Sequence, residues 1–148
     1  MQMENGLSAY NRTETMGKSQ LDLILQVYDG AIKTYSQARD SYLNHNNEAG
    51  FESLEKAQRF VTHLFTTLDL ENGGEVAKNL SRMYAYIINE TEGIKGTKDT
   101  AKLGAIVKML GNIRSGWAGL RNSDVVRPQE HTGQSPAVVG ADSFVVTA

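Results

Sequence analysis

The sequence predicts an all-α fold: an antiparallel four-helix bundle with an N-terminal arm and a flexible C-terminal tail. Three observations carry that expectation. Apolar residues recur at spacings of three and four from about Ser19 to Arg121, the period of a helix with one buried face. No proline falls in that stretch; Pro128 and Pro136 both lie beyond it, so nothing there forces a helix to kink or stop. Turn formers interrupt the pattern at Asn44 to Asn47, Asp69 to Gly74 and Gly93 to Thr97, which leaves four segments, each about twenty residues and roughly 30 Å long if helical. Helices of equal length joined by short links pack as antiparallel neighbours. The chain divides accordingly into an arm (1–18), a bundle (19–121) and a tail (122–148).

The first helix is expected from about Ser19 to Leu43. Its core stripe is Leu21, Ile24, Leu25, Tyr28, Ala31, Ile32, Tyr35, Ala38 and Tyr42. Ser19 suits an N-cap, and Asp22 three residues on favours the positive helix start. The second helix covers about Glu48 to Leu68, with Leu54, Ala57, Val61, Leu64, Phe65 and Leu68 inward. Gly73-Gly74 after Asn72 makes the next link the clearest loop. A third helix, about Glu75 to Ile94, turns Val76, Leu80, Met83, Tyr84, Ile87, Ile88 and Thr91 inward. The fourth, about Asp99 to Leu120, carries Leu103, Ile106, Val107, Leu110, Ile113, Trp117 and Leu120. The tail has little charge and no helical period, so it reads as mobile; its end, Phe144-Val145-Val146, is β-prone.

Composition narrows the function. The 148 residues hold 15 basic and 17 acidic side chains, three histidines and no cysteine. A net charge of -2 argues against nucleic acid, whose phosphates demand a basic excess. Lack of cysteine excludes a disulfide framework, a thiol nucleophile and a cysteine-bound metal. Neither a signal-peptide pattern nor an apolar run of membrane-spanning length is present. The expectation is a cytoplasmic protein that does not insert into membranes.

Chemistry-bearing motifs fail one by one. A di-iron bundle needs Glu-x-x-His pairs, but Tyr42, Phe60 and Pro128 stand three residues before His45, His63 and His131. His63 reads as a boundary residue of the second helix, because a metal needs several converging ligands. Gly73-Gly74 lacks the preceding strand and the following Gly-Lys-Ser/Thr of a phosphate loop. Paired acids such as Glu90 and Glu92 lie in polar surroundings that would not raise their proton affinity. No catalytic residue, cofactor or metal site is expected, and the chain reads as a non-enzyme.

What remains are apolar and small residues that the core does not need. Leu23 and Val27 are expected on the back of the first helix, where two aliphatics four apart form a docking strip. Gly104, Gly111, Ser115 and Gly119 share one stripe of the fourth helix. A mid-helix glycine costs about 1 kcal/mol relative to alanine, and a row of small residues leaves a shallow channel for another chain. Tyr86 points outward from the third helix. In the arm, Leu7 and Tyr10 are three apart and are expected to lie on the bundle as a cap that a competing partner removes.

Together these residues carry a resemblance. Ala9-Tyr10 in the arm, then Leu25-Gln26-Val27-Tyr28-Asp29-Gly30-Ala31 in the first helix, resemble the flagellar secretion chaperones that bind flagellin, the FliS family. Leu68-Asp69, Gly73-Gly74-Glu75, Asn79-Leu80 and Met83-Tyr84-Ala85-Tyr86-Ile87 look like that family's second signature, and Trp117 matches near the end of the last helix. The resemblance spans about Leu7 to Leu120. Thr15-Met16-Gly17-Lys18 departs from the Ser-Pro that family members often carry there, and the fourth helix is richer in glycine.

The resemblance implies a helical bundle that holds the disordered C-terminal segment of flagellin, prevents its premature polymerisation and presents it to the flagellar type III export gate. It implies that Leu7 and Tyr10 cover part of the binding surface when flagellin is absent and take part in docking to the gate. The remaining partner-binding candidates, Leu23, Val27, Tyr86, Gly104, Gly111, Ser115 and Gly119, come from the helical period alone. The competing expectation is a scaffold protein that forms a homodimer through the same strips and has no export role.

Overall fold

The computed structural model describes residues 9–10 and 19–126, with side chains as far as Leu120. Four helices follow one another: α1 (Gln20–Leu43), α2 (Asn47–Thr66), α3 (Gly74–Thr97) and α4 (Thr100–Val126). Among the described residues there is no strand, only a single antiparallel bridge between Tyr10 and Leu68. The arm outside residues 9–10, Leu7 with it, and residues 127–148 of the expected tail lie outside the described residues.

Local chemistry sets each boundary. The Ser19 hydroxyl accepts from the Asp22 amide at 3.0 Å, which satisfies one of the free N–H groups that every helix start leaves. Asn46 does the same for α2 through the Ala49 amide, while His45 just before it takes the left-handed conformation (φ 61°) that closes a tight link. The Asp99 carboxylate accepts from the Lys102 amide at 3.0 Å and opens α4.

Two boundaries differ from the sequence expectation. Gly93 to Thr97 is the last turn of α3 rather than a link. Ile94, only 1% exposed, anchors that turn in the core, and Lys98 with φ 58° makes the stop instead. At the other end, α4 continues to Val126, so the first residues assigned to the tail are helical.

α1 packs against α2 on one side and α4 on the other, and α2 packs against α3, so α1 and α3 face each other across the diagonal. Glycine lets α1 and α2 approach closely: a methyl at Gly30 would stand 2.6 Å from the Phe60 ring, and one at Gly50 would stand 2.7 Å from the Tyr42 ring. The largest side chains sealed in the interior are Trp117, Tyr28, Tyr35 and Tyr84. Every expected core residue of α4 is buried except Val107, which packs half-buried against the core. On α2 Phe65 is exposed, and Leu68, expected inward as well, lies past the helix end and is half-buried.

Buried tyrosines need partners for their hydroxyls, and here the partners come from the diagonal helix. The Tyr28 hydroxyl bonds that of Tyr84, and the Tyr35 hydroxyl meets Thr91 Oγ1 at 2.8 Å. Both steps, 28 to 35 and 84 to 91, are one heptad, so α1 and α3 run parallel with a register fixed by two buried polar pairs. A one-turn slip would separate both pairs and leave the Tyr28 and Tyr35 hydroxyls unpaired in the core, at about 1–3 kcal/mol each. Outside, Arg114 grips Asp29 with two nitrogens (2.5 and 3.3 Å) between α4 and α1, an exposed pair that adds little to stability.

Candidate functional site

Of the neighbouring helices, α3 and α4 touch least. The side chain of Tyr10 is inserted between them, away from their link. Its ring lies 5.9 Å from that of Trp117 on α4, and its hydroxyl is 2.9 Å from that of Tyr84 on α3. The same hydroxyl donates to the Leu64 carbonyl at 3.3 Å, in the last turn of α2, where no following turn supplies an amide. Tyr10 is 4% exposed and Ala9 is fully buried. One residue outside any helix thus joins three helices.

The backbone holds the arm as well. The Asp69 amide donates to the Ala9 carbonyl at 2.5 Å, beside the Tyr10–Leu68 bridge. Asp69 is itself fixed, because its carboxylate accepts from the Asn72 amide and side chain (3.1 and 2.8 Å). Those bonds draw its carboxyl below the usual carboxylate range. Beneath the arm lies Gly73, where a methyl would stand 2.8 Å from the Ala9 Cα, 2.5 Å from the Ala77 Cβ and 2.7 Å from the Asp69 carbonyl oxygen. Only glycine leaves room for the arm to lie down.

The hydroxyls form a directed chain. A carbonyl can only accept, so Tyr10 donates to Leu64; Tyr84 then donates to Tyr10, and Tyr28 to Tyr84. Burial pushes the proton affinities of Tyr10, Tyr28 and Tyr84 far above the ordinary tyrosine range, and that of Tyr35 up to about 12. All are neutral at physiological pH and none is poised for proton transfer. The Trp117 indole N–H approaches Tyr28 without reaching hydrogen-bond geometry and has no other partner among the described residues.

The other expected site residues do not gather here. Leu23 and Val27 are half-buried, and Val27 packs against the core. Rather than standing opposite the stripe, they flank it on the side of Gly30, which Phe60 of α2 covers. A helix with neighbours on two sides buries a wider arc than a single stripe. Tyr86 is 52% exposed on α3, as expected. On α4, Ser115 and Gly119 are exposed and Gly104 and Gly111 are half-buried. A methyl at Gly111 or Gly119 would meet nothing within 4 Å, and one at Gly104 only the Arg39 Nη1 at 3.5 Å. Sequence reasoning missed Phe65 and Leu70, exposed large apolar residues on either side of Leu68, to which the arm is bridged.

A family model described as "Flagellar protein FliS" matches residues 3–124, a span that takes in both the arm and all but the end of α4. The chain belongs to the FliS family. Proteins similar to it are named flagellar secretion chaperones. That of Vibrio cholerae is 25% identical over 133 residues, covering 87% of this chain and 93% of the relative. That of Salmonella typhimurium is 30% identical over 122 residues, covering 79% and 90%. The FliSB chaperone of Pseudomonas aeruginosa is 31% identical over 98 residues, covering 66% and 78%. The sequence resemblance and the four-helix expectation are thereby met. No helix among the described residues is long and apolar enough to cross a membrane, and no group of three or more acidic or histidine side chains among them could hold a metal ion.

Proposed function

We propose that this FliS-family chain binds the disordered C-terminal segment of flagellin, keeps it from polymerising prematurely and delivers it to the flagellar type III export apparatus in the cytoplasm. The observation that carries the reading is the arm: one end of the bundle is sealed by Ala9 and Tyr10, which belong to none of the four helices. A surface closed by a separate segment is one that a competing segment can take over, by laying its own apolar face along the bundle. Phe65 and Leu70 stand exposed beside that place and extend it.

The family resemblance gives Leu7 and Tyr10 a second role in docking to the export gate. With its hydroxyl bonded and its ring against Trp117, a seated Tyr10 has no surface to offer. Covering the bundle and meeting the gate are then mutually exclusive uses of one side chain, and arrival of flagellin is what frees the arm for the gate.

Calorimetric titration with a fragment covering the flagellin C-terminal segment tests the reading. Saturable one-to-one binding with a negative heat-capacity change is expected, because apolar surface is buried while a disordered segment is ordered. Replacing both Leu23 and Val27 by serine is expected to weaken binding at least tenfold with helicity retained; normal affinity in that variant would remove the α1 strip from the binding surface. Absence of binding by an intact fragment, with a concentration-dependent dimer on gel filtration, would favour the self-associating scaffold instead.

A further inference from the structure

The place that Tyr10 fills is chemically selective, and the selectivity lies in atoms the arm leaves behind. Remove the arm and three groups remain: the Leu64 carbonyl, the Tyr84 hydroxyl and the face of Trp117. The first is a terminal helix carbonyl without an amide to accept from, and the second is fully buried. A ring is needed to cover Trp117, and a hydroxyl at its far end is needed to donate to Leu64 while accepting from Tyr84. An aliphatic side chain laid over the same place would seal the Leu64 carbonyl away without a partner and leave the Tyr84 hydroxyl only its bond to Tyr28, which is costlier than leaving the place to water. The residue before the ring must also be small. Ala9 is fully buried, its Cα lies over Gly73, and its carbonyl faces the Asp69 amide.

We propose that this seat is a recognition site for a phenolic side chain preceded by a small residue, so that any partner segment replacing the arm there presents a tyrosine in the position of Tyr10. An aliphatic partner segment binds beside the seat, along Phe65 and Leu70, and does not enter it. This deepens the chaperone reading and rests on it for the identity of the partner, but the chemistry of the seat stands on the side chains alone.

The test uses the full chain with Tyr10→Gly, which removes the side chain that p-cresol reproduces, and toluene as the same ring without the hydroxyl. Trp117 is the single tryptophan, so its fluorescence reports the seat directly. In Tyr10→Gly, p-cresol is expected to shift that emission saturably and raise the melting temperature, with an affinity on the order of tenfold or more above that of toluene. The unmodified chain, whose seat is full, is expected to respond to neither. Adding Tyr84→Phe to Tyr10→Gly is expected to reduce the preference, because only the Leu64 carbonyl then remains to bond the hydroxyl, while leaving a site for both rings. Equal binding of p-cresol and toluene in Tyr10→Gly would overturn the proposal, as would no binding of either. Should Tyr10→Gly fail to fold, the unmodified chain is titrated instead with a six-residue peptide of the sequence Gly-Leu-Ser-Ala-Tyr-Asn. Carrying a fluorescent label, the peptide is expected to displace the arm and gain anisotropy at millimolar chain concentration where its labelled Phe counterpart does not; equal binding of the two peptides overturns the proposal. The flagellin fragment is titrated separately, so the two readings fail apart: p-cresol selectivity without fragment binding removes the chaperone reading alone, and fragment binding without p-cresol selectivity removes the seat alone.

Discussion

The seat under Tyr10 and the outer face of α4 are both built around glycine, and they differ in what the glycine meets. At Gly73 an added methyl would stand within 3 Å of three atoms, one of them in the arm. At Gly111 and Gly119 it would meet nothing within 4 Å. The first absence of a side chain is explained by neighbours inside this molecule. The second is a loss of helix propensity with no internal return, in a helix that otherwise supplies Leu103, Leu110 and Trp117 to the core. The two regions also differ in polarity: hydroxyl groups bonded to one another line the interior behind the seat, while the α4 face is nearly bare.

That interior makes the sharpest prediction, because it holds most of what can titrate in the core. The folded chain keeps Tyr10, Tyr28, Tyr35 and Tyr84 protonated well beyond the ordinary tyrosine value near 10. Between the unfolded and folded values the native state binds more protons, so stability falls as pH rises. The contribution is therefore whole below about pH 10 and is lost progressively toward about pH 12. Cooperative loss of helicity by circular dichroism is expected to begin near pH 10, with no matching loss between about pH 6 and 9. Tyr35→Phe should move the onset upward by removing one titrating group; an unmoved onset would show that Tyr35 takes no part in it.

Next in size is the hydroxyl at the centre of the chain. Tyr84→Phe removes the donor to Tyr10 and the acceptor from Tyr28 together. A loss of about 1–3 kcal/mol in urea unfolding is expected, with the arm loosened, seen as a red shift of Trp117 emission. Tyr86→Phe, two residues away and 52% exposed, is the matched control and should stay within about 0.5 kcal/mol. Equal effects at the two positions would mean that the buried chain does not hold the arm.

How much of this was legible in the sequence depends on whether the cause was local. The four helices, the Ser19 cap and the α4 stripe follow from spacing and side-chain type, which act within a few residues. The inward face of α1 was legible except at its edge: Leu23 and Val27 were placed on the back, whereas α2 and α4 together bury a wider arc. The end of α3 was missed because Gly93 and Gly96 look like a turn, while the buried Ile94 carries the helix past them. Tyr10 was expected to lie on the bundle as a removable cap; its reach to Leu64, Tyr84 and Trp117 was not legible, since those partners lie 54, 74 and 107 positions away. A partial signal existed for the diagonal pairing. Tyrosine recurs on α1 at 28, 35 and 42, one heptad apart on the inward stripe, and a buried tyrosine implies a polar partner, though not which one.

The smallest expected effect is the one that distinguishes the two glycine settings. Gly111→Ala and Gly119→Ala replace a flexible residue in an open helical position, and each should raise stability by about 0.5–1 kcal/mol in urea unfolding. Gly73→Ala should act in the opposite direction, because its methyl cannot be placed without moving the arm, Ala77 or the Asp69 backbone. Opposite signs from the same substitution would show that one glycine is required by the folded chain and the others are not. The α4 pair then carries a second reading. If Gly111→Ala and Gly119→Ala stabilise the chain yet weaken binding of the flagellin fragment, the missing side chains serve a partner that comes close to the helix. If they stabilise it and leave binding unchanged, the bare face of α4 plays no part in capture, and the binding surface lies with the arm seat and the exposed residues around it.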